Sequence, residues 1–558
     1  MVKIGTVTLT NGTSFLPGNL TVLVGPNNGG KSRFLKDLVS AFGSQDTQRK
    51  SVGHVERLYA GRYPLAALLE SLPRDANGNY KLDVLETGLG PTNAMRMTPH
   101  TFQTAVTTDN PEGVFQYLYH RHIAYLKTES RLSVLKRQVN KTADFYGGGS
   151  MIELAWDARE RISEEIKEGV RAAFGLSLEL NHPSFSELEY LLSGAEGEAP
   201  EALDDQGDGI RSFCAILVAI TVLNRSVIAV DEPEAFLHPP QAYLIGRALA
   251  QKASVDKQLF IATHSADVLR GILSVTNDVQ ILRMSRHQRE FRTKQLQTET
   301  LQQIIADPLL SSSRVLDGLF YNGVILTESD GDVVLYRTVL EKFETTAALH
   351  FVNAYSKLQA SKVAIPYQAM GVPFAIVLDF DILSEQGEFR QVFAELGGDW
   401  TEVLPLFEKI RRSVLHLQTD PLSNEERLQQ ALSTIYNSLE GVAGEPTSDK
   451  QLNFFKHRLD DARKQLSAWA KLKASGFRGL SGEGKEAFTA LDVKCRQRGL
   501  FIVSVGEREA WLVPDVQYTT NKNKWTRDAI KLLTATPLSE EAPLRKFVSD
   551  IRSQLLPT

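Results

Sequence analysis

A short glycine-rich segment constrains the fold of this 558-residue chain more than any other feature. It spans Gly25–Ser32, reads Gly-Pro-Asn-Asn-Gly-Gly-Lys-Ser, and directly follows the continuous apolar run Leu20–Val24. An unbroken apolar run of this length is typical of a strand that is buried on both faces of a parallel sheet. A helical pattern then extends from Lys31 to about Phe42. The order of strand, glycine loop and helix predicts an α/β domain with a phosphate-binding loop.

The chemistry of this loop indicates a nucleotide site. Glycines let backbone N–H groups point inward around phosphate oxygens, and the helix N-terminus adds the positive end of its dipole. Lys31 is expected to reach the β- and γ-phosphates, and Ser32 to ligate Mg²⁺. The predicted cofactors are therefore ATP and magnesium, whereas a chance match would lack the flanking strand and helix. The loop residues assigned to ATP are Gly25, Asn27, Asn28, Gly29, Gly30, Lys31 and Ser32.

Two further motifs follow apolar runs that are predicted to be strands. The run Val227–Val230 is followed by Asp231 and Glu232, and the run Gln258–Thr263 is followed by His264. Ligands of open α/β sheets bind at the carboxyl ends of the strands. Asp231 is therefore predicted to contact ATP and hold Mg²⁺, Glu232 to polarise the attacking water, and His264 to sense the γ-phosphate. A lone histidine is more often structural, but three strand-end motifs in this order favour a functional role.

Composition excludes several classes of protein. The net charge of −5 excludes a uniformly basic protein that coats nucleic acid, although a local basic groove stays open. The two cysteines, Cys214 and Cys495, have no partners at metal-ligand spacing, which argues against structural zinc and a disulfide framework. No apolar run reaches the ~20 residues of a membrane span, and the first residues lack the layout of a signal peptide. A cytoplasmic protein without membrane contact is expected.

The loop, the segment Asp231–Pro239 and the Thr-His-Ser triplet resemble, in this order, the ABC-type ATPase head of recombination and DNA-repair proteins and of OLD-family nucleases. In such heads a signature segment of one protomer completes the nucleotide site of another. The best match is Gln206–Ser212, so the resemblance assigns Gly207 and Gly209 to ATP binding and implies a homodimer of heads. The alternative is a helix cap after an acidic surface loop at 194–209.

Three acidic clusters follow apolar runs in the second half of the chain. The runs are Gly323–Thr327, Phe374–Leu378 and Leu500–Val505, and each is predicted to be a strand of a second α/β domain. If these strands are parallel neighbours, the acids meet at one sheet edge, and so many anions require cations. Carboxylate oxygens favour Mg²⁺ or Mn²⁺, and two such ions could cleave a phosphodiester. The metal ligands predicted here are Glu328, Asp379, Asp381, Glu507 and Glu509.

The spacing of Asp379 and Asp381 favours the metal hypothesis. On an extended backbone these two side chains lie on one side, and Phe380 lies on the other. The alternative is that the acids are helix caps and loop charges, which would suit Asp330 or Asp332.

A glutamate after one strand and an Asp-x-Asp after a later strand resemble the TOPRIM domain of topoisomerases, primases and OLD-family nucleases. The resemblance covers about 320–381 and 500–530. It implies lysines that stabilise phosphate charge, with Lys357 as one candidate. The catalytic residues that it implies are Glu328, Asp379, Asp381, Glu509 and Lys524.

The expected architecture has two α/β domains. An ABC-type ATPase domain at 1–310 carries a mixed insertion at about 51–194, and a TOPRIM domain at 320–558 carries a helical insertion at about 384–499. This layout resembles that of OLD-family ATP-dependent endonucleases. The resemblance implies a DNA endonuclease of a bacterial or phage defence system, in which ATP-driven dimerisation of heads controls a two-metal site.

The implied partners are DNA and further copies of the chain, as a homodimer or higher homo-oligomer. A defence partner is also implied, either a helicase-like protein or a retron reverse transcriptase with its nucleic acid. The rival hypothesis is an ATP-driven sensor or scaffold whose non-cleaving TOPRIM domain assembles with a partner effector. A strand-passing topoisomerase ranks last, because no segment clearly supplies a tyrosine nucleophile and a DNA gate.

Overall fold

The computed structural model divides into two compact units, Met1–Phe320 and Tyr321–Thr558. The predicted insertions at about 51–194 and 384–499 lie partly outside the residues that the structure describes. Those residues are 2–43, 49, 51–59, 80–84, 93–97, 122–136, 138–139, 159–184, 187–194, 199–223, 225–287, 290–343, 348–416, 429, 432–433, 436, 468–517, 519, 521–536 and 538–556.

The first unit contains strands and helices in alternation. Its described strands are β1 (Val2–Leu9), β2 (Ser14–Phe15), β3 (Leu20–Val24), β4 (Val52–Tyr59), β5 (Tyr80–Val84), β6 (Asn93–Met97), β7 (Ile123–Leu126), β8 (Gln138–Val139), β9 (Ser177–Ser184), β10 (Glu187–Ser193), β11 (Glu201–Ala202), β12 (Val227–Asp231), β13 (Gln258–Ala262), β14 (Gln280–His287) and β15 (Glu290–Gln295). Its described helices are α1 (Lys31–Gly43), α2 (Thr128–Val134), α3 (Arg159–Phe174), α4 (Asp208–Val222), α5 (Pro239–Lys252), α6 (Ala266–Leu273), α7 (Thr298–Ala306) and α8 (Ser313–Asp317).

A six-stranded sheet forms the centre of this unit. Its order is β15-β14-β3-β13-β12-β7, and all neighbours are parallel except β14 and β15. Every residue of β3, β12 and β13 is buried, as their unbroken apolar runs predict. Because β13 lies between β3 and β12, the residues that follow these three strands meet at one edge of the sheet.

Helix α1 packs against this sheet through a stripe with helical spacing. Phe34, Leu38 and Phe42 recur every four residues and are fully buried. They share one hydrophobic cluster with Ile4 of β1 and Val55 of β4. The antiparallel sheet β2-β1-β4 therefore closes the core above the helix that follows the glycine loop.

The expected acidic surface loop at 194–209 is partly regular in the structure. Strand β11 pairs with β10 through Leu191 and Ala202, and a 3₁₀ turn follows at Leu203–Asp205. Leu203 is buried, so it anchors this turn to the core. The burial of Leu203 could not be predicted from the acidic segment, because a single leucine among charged residues gives no periodic signal.

The second unit is built on a four-stranded sheet. Its described strands are β16 (Gly323–Thr327), β17 (Leu349–Asn353), β18 (Phe374–Leu378) and β19 (Leu500–Ile502). Its described helices are α9 (Asp330–Phe343), α10 (Lys357–Met370), α11 (Gln386–Glu395), α12 (Trp400–His416), α13 (Ala468–Ser475), α14 (Gly482–Arg496), α15 (Lys522–Ala535) and α16 (Pro543–Leu555). The order is β17-β16-β18-β19 and all three pairs are parallel. The three strands that precede the acidic clusters, β16, β18 and β19, are thus parallel neighbours, as expected.

Two local predictions for this unit are wrong. The last strand ends at Ile502 instead of Val505, because the N–H of Gly506, with φ of 113°, turns back to donate to the Val503 carbonyl at 3.1 Å. The Asp-Phe-Asp segment is not extended, because a 3₁₀ turn begins at Phe380. Phe380 is 1% exposed and stacks at an angle on Phe488, so burial of this ring bends the chain.

No helix in the described ranges is long and apolar enough to cross a lipid bilayer.

Candidate functional site

Two glycines of the loop in the first unit have backbone conformations that a residue with a side chain would adopt only with strain and clashes. Gly25 has φ of 138°, and an added Cβ would lie 2.1 Å from the Met284 carbonyl oxygen. Gly30 has φ of 95°, and its Cβ would lie 2.3 Å from the ring of Phe291. Asn28, at φ of 65°, is a residue type that tolerates this region. The loop is therefore fixed against β14 and β15 while its outer residues face solvent.

The remaining predicted loop residues have distinct surroundings. Asn27 and Asn28 are exposed, whereas Gly29 is buried and donates its N–H to the Pro26 carbonyl at 2.9 Å. Lys31 is 7% exposed, and its Nζ donates to the carbonyls of Gly25 at 2.7 Å and Pro26 at 3.1 Å. Burial lowers the pKa of Lys31, against the opposing charges of nearby acids. The ammonium group is thus held at the centre of the loop.

Ser32 and Asp231 are in direct contact. Ser32 Oγ donates to Asp231 Oδ1 at 2.9 Å, and Tyr125 Oη of β7 donates to Asp231 Oδ2 at 3.0 Å. Burial raises the pKa of Asp231, and these two hydrogen bonds oppose the rise. Burial also raises the pKa of Tyr125. Sequence reasoning missed Tyr125, and its only signal was its place in a short apolar run.

Glu232 lies beside this pair in an unusual backbone conformation. Its φ is 47°, and its N–H donates to the Ala262 carbonyl at 2.8 Å. Its own carbonyl accepts from Arg131 Nη2 at 2.8 Å, while its side chain is 38% exposed. Arg131 is 1% exposed, and burial lowers its pKa to about 10. The backbone of Glu232 is therefore fixed, and its carboxylate is accessible.

A second glutamate, Glu234, joins the ends of β12 and β13. Its Oε2 accepts from Thr263 Oγ1 at 2.8 Å, and its Oε1 accepts from the backbone N–H of His264 at 2.7 Å. His264 Nδ1 lies 3.1 Å from Glu234 Oε1 and 3.7 Å from Glu232 Oε1. Sequence reasoning did not assign Glu234, although it belongs to the quoted run that starts at Asp231.

The signature-like segment begins helix α4 with Gly207 at its N-cap. A Cβ on Gly209 would lie 2.6 Å from the carbonyl oxygen of Phe236, which has φ of 69° and is 52% exposed. A Cβ on Gly207 would meet nothing within 4 Å. Within one chain, Gly209 is therefore explained by its close approach to the loop after β12, and its predicted contact with ATP stays a prediction.

Two of the predicted acids in the second unit are joined by a hydrogen bond. Glu328 follows β16, and its Oε1 accepts from the backbone N–H of Asp379 at 3.1 Å, at the end of β18. Burial and the charges of Asp381 and Asp332 raise the pKa of Glu328 to about 7, although Lys357 opposes them. Burial and the charge of Glu328 also raise the pKa of Asp379. This edge of the sheet thus carries concentrated negative charge.

Asp381 is paired with two lysines. Lys357 at the start of α10 forms an ion pair with Oδ1, and Lys473 of α13 lies 3.5 Å from Oδ2. Burial would raise the pKa of Asp381, but Lys357 and then Lys473 hold it below its usual value. The pKa of Lys357 is raised in turn, because Asp381 and Glu328 outweigh the effect of burial.

An arginine, Arg508, binds the acidic residue Glu509 of the segment that follows β19. Arg508 Nε donates to Glu509 Oε1 at 2.9 Å, and Arg508 Nη1 donates to Asp332 Oδ1 at 3.1 Å and to Ser329 Oγ at 2.8 Å. Gly331 leaves space for this guanidinium, since its Cβ would lie 2.0 Å from Arg508 Nη1. Glu509 is 1% exposed, and its Oε2 has no hydrogen-bond partner among the described residues.

The lysine predicted for this element does not lie closest to the acids. Lys524 is exposed in the first turn of α15, where its backbone N–H donates to Asn521 Oδ1 at 3.1 Å. Lys522, two residues earlier, has its Nζ 3.8 Å from Glu507 Oε2. The charges of Glu509 and Asp379 raise the pKa of Lys522 against the effect of its burial. Sequence reasoning missed Lys522, because both lysines stand in the same polar stretch.

The two sites differ in how well they fit a divalent cation. Ser32 and Asp231 offer a hydroxyl and a carboxylate in contact, a hard-oxygen pair that suits Mg²⁺. In the second unit Glu328, Asp379 and Asp381 also supply only hard oxygen donors. Across the described residues, however, no three His, Cys, Asp or Glu side chains converge closely enough to form a metal site. The oxygen donors of both sites therefore fit a divalent cation. In the second unit, binding of the cation would require Glu328, Asp379 and Asp381 to move closer together.

The central sheet and its glycine loop place the first unit in the P-loop class of α/β ATPase domains. A family model described as "AAA domain, putative AbiEii toxin, Type IV TA system" matches residues 109–270. Among curated proteins, no sequence matches this chain. The family match supports an ATPase-type domain within the first unit.

Several solved structures of SMC heads are similar to part of the chain. An Smc head bound to the C-winged helix domain of ScpA aligns over 54% of this chain and 99% of its own length, with 13% identity and a TM-score of 0.35. An Smc head domain with an extended coiled coil from Pyrococcus furiosus, bound to the C-terminal domain of ScpA, aligns over 55% and 99%, with 11% identity and a TM-score of 0.33. The SMC head domain from Thermotoga maritima aligns over 53% and 99%, with 12% identity and a TM-score of 0.29.

Proposed function

We propose that this protein is an ATP- and divalent-metal-dependent endonuclease of the OLD type, in which ATP turnover in the first unit controls phosphodiester cleavage by the second. The observation that carries the proposal is the 2.9 Å hydrogen bond between Ser32 and Asp231. It joins the phosphate loop to the end of β12, at the place where a magnesium ion bound to ATP needs oxygen ligands.

The residues around this pair suit ATP hydrolysis. Lys31 would exchange its two carbonyl partners for phosphate oxygens, and the buried Tyr125 keeps Asp231 in one orientation. The accessible carboxylate of Glu232 is the candidate base for the attacking water, and His264 stands beside it. Gly207 and Gly209 would contact ATP from a second copy of the chain, as the resemblance to ABC-type heads implies.

The nuclease part of the proposal rests on the parallel, adjacent strands β16 and β18. They bring Glu328 next to Asp379, and burial together with the charges of neighbouring carboxylates raises the pKa of each group, an effect that a bound cation would oppose. Glu328, Asp379 and Asp381 would hold the metal, with Glu507 or Glu509 completing the set. Bound Mg²⁺ or Mn²⁺ would supply an activated water and charge stabilisation in a TOPRIM-type site.

Lysines supply the positive charge that this site needs for a phosphate backbone. Lys357 and Lys473 flank Asp381, and Lys522 flanks Glu507. Lys524, predicted from the resemblance, lies two residues further along α15 than Lys522 and stays a candidate. These side chains would bind substrate phosphate once the carboxylates turn to the metal. We accordingly propose DNA as the substrate and a defence system, with a partner protein, as the setting.

A nicking assay on supercoiled plasmid with Mg²⁺ or Mn²⁺ tests the proposal. We expect Asp379→Ala with Asp381→Ala to abolish cleavage and to leave ATP hydrolysis intact, and Lys31→Ala to abolish hydrolysis. Glu408→Gln removes an exposed carboxylate from α12 of the same unit and should leave both activities unchanged. Cleavage that persists in the double variant at wild-type rate would reject the nuclease assignment.

A second candidate is an ATP-driven sensor or scaffold whose second unit does not cleave. The observation that favours it is the pairing of the acids: Asp381 with lysines and Glu509 with Arg508, without three converging donors in the described ranges. This candidate predicts a change of oligomeric state with ATP and no cleavage with any divalent metal. Size-exclusion chromatography with and without ATP, beside the nicking assay, separates the two.

A further inference from the structure

Glu234 is a buried acid at the nucleotide site without an assigned role. It is 8% exposed, and both carboxylate oxygens accept hydrogen bonds from the turn that follows β13. Its partners are the Thr263 hydroxyl, the backbone N–H of His264 and the His264 ring. A buried carboxylate of this kind costs free energy unless its contacts compensate for lost hydration. Its position therefore calls for an explanation.

The contacts show which ring nitrogen of His264 faces Glu234. Nδ1 is the ring nitrogen that faces the carboxylate, since it lies 3.1 Å from Glu234 Oε1. Nε2 stands on the opposite edge of the ring, and the side chain is 44% exposed. Thr263 reinforces the arrangement, because its Oγ1 also accepts from the N–H of Ser265, and its own N–H donates to the Leu23 carbonyl of β3.

The surrounding charges are suited to this arrangement. The groups that face Glu234 are Lys31 of the glycine loop, Arg131 of α2 and His264 itself. Burial raises the pKa of Glu234, and His264 opposes that rise. Lys31 and Arg131 are themselves buried, so the fields of their charges are weakly screened.

We propose that Glu234 is a positioning residue, which holds the His264 imidazole through Nδ1 so that Nε2 is directed to the terminal phosphate of ATP. It thereby separates the tasks of the two glutamates. Glu232 keeps an accessible carboxylate for the attacking water, while both carboxylate oxygens of Glu234 serve to orient the His264 ring. This inference rests on the proposed ATPase function and adds to it the residue that fixes the phosphate-sensing side chain.

Steady-state ATP hydrolysis by the full chain tests the inference through four variants. His264→Ala should lower kcat on the order of 100-fold, as for the loss of one positioned transition-state contact. Glu234→Gln keeps the size of the side chain, and we expect kcat to fall about 10-fold with little change in KM. Glu234→Gln in the His264→Ala background should cause no further loss, because the two residues act as one unit. Glu299→Gln, an exposed acid on α7, is the matched control.

The outcomes separate the inference from the function on which it rests. A wild-type protein that does not hydrolyse ATP rejects the proposed function. If the wild-type protein hydrolyses ATP and Glu234→Gln has the same kcat as the Glu299→Gln control, only the inference is rejected. Equal losses from Glu234→Gln with and without His264 would also reject it, since they would indicate general structural damage. Thermal unfolding and binding of fluorescent ATP identify any variant that has failed to fold.

Discussion

Ser32 and Asp231 are 199 positions apart in sequence, yet Ser32 Oγ lies 2.9 Å from Asp231 Oδ1. The other oxygen of the same carboxylate accepts from Tyr125, which is 2% exposed. Three elements, the glycine loop, β12 and β7, thus converge on one side chain. Because Asp231 has both oxygens engaged within the protein, its orientation is fixed before any ligand is bound.

Tyr125→Phe should loosen that orientation. The change deletes one hydroxyl and leaves Asp231 Oδ2 buried without its donor, so we expect a loss of about 1 kcal/mol in the free energy of unfolding. The apparent KM for Mg·ATP should rise for the same reason. Urea unfolding and ATPase assays measure the two effects. Tyr436→Phe, at a position that is 72% exposed, is the control, and equal behaviour of the two variants would contradict the prediction.

Gly30→Ala should damage the glycine loop. At φ of 95° a side chain costs about 1–3 kcal/mol, and the new Cβ would also press on Phe291. We expect lower stability of the first unit and loss of ATP binding, measured by thermal unfolding and fluorescent-nucleotide titration. Gly482→Ala introduces the same methyl group at the start of α14, where nothing lies within 4 Å, and should be neutral. Normal ATP binding by Gly30→Ala would show that the loop tolerates a side chain there.

Arg508→Ala should destabilise the second unit. It leaves Glu509, which is 1% exposed, without its charged partner, and removal of one member of a buried ion pair costs about 3 kcal/mol or more. Glu509→Gln in the same chain should restore part of the loss, because it removes the unpaired charge. Arg478→Ala, an exposed arginine of the same unit, is the control. Urea unfolding of the four proteins checks this, and an unchanged midpoint for Arg508→Ala would contradict it.

Asp317 should make the stability of the first unit depend on pH. Burial and the nearby charge of Asp267 raise its pKa to about 6, above the 3.8 of an ordinary aspartate. The folded state therefore holds this proton more tightly than the unfolded state, and stability falls as pH rises from about 4 to about 6. Above that window the contribution is constant.

Asp317→Asn removes this group, so its stability relative to wild type should increase across the same pH window. Urea midpoints at pH 4, 5, 6 and 7 measure the difference. Asp278→Asn makes the same charge change at an exposed position. A constant difference between Asp317→Asn and wild type at all four pH values would exclude a raised pKa for Asp317.

The buried apolar runs predicted the strands that lead into the two candidate sites. β3, β16 and β18 have the bounds that the sequence indicated, and β12 extends one residue further, to Asp231. These segments read clearly because a strand buried on both faces must be apolar throughout. Where burial depends on one residue in a polar context, as at Leu203 and Phe380, prediction failed.

The side chains that surround the two candidate sites were harder to predict. Tyr125, Glu234 and Arg508 have no local pattern that distinguishes them from other aromatic or charged residues. Their roles follow from pairing between distant strands, such as β12 with β7, and from the turns after those strands. Lys522 and Lys524 are both exposed in the first turn of α15, and Lys522 Nζ lies 3.8 Å from Glu507 Oε2.

The sequence by itself determined the local elements of this protein. The glycine loop, its flanking strand and helix, and the acids after apolar runs are all encoded within a few residues, because backbone conformation and burial periodicity are local properties. The tertiary structure alone decided the strand order β3-β13-β12-β7 and β17-β16-β18-β19. That order sets which strand ends meet, and therefore joins Ser32 to Asp231 and Glu328 to Asp379.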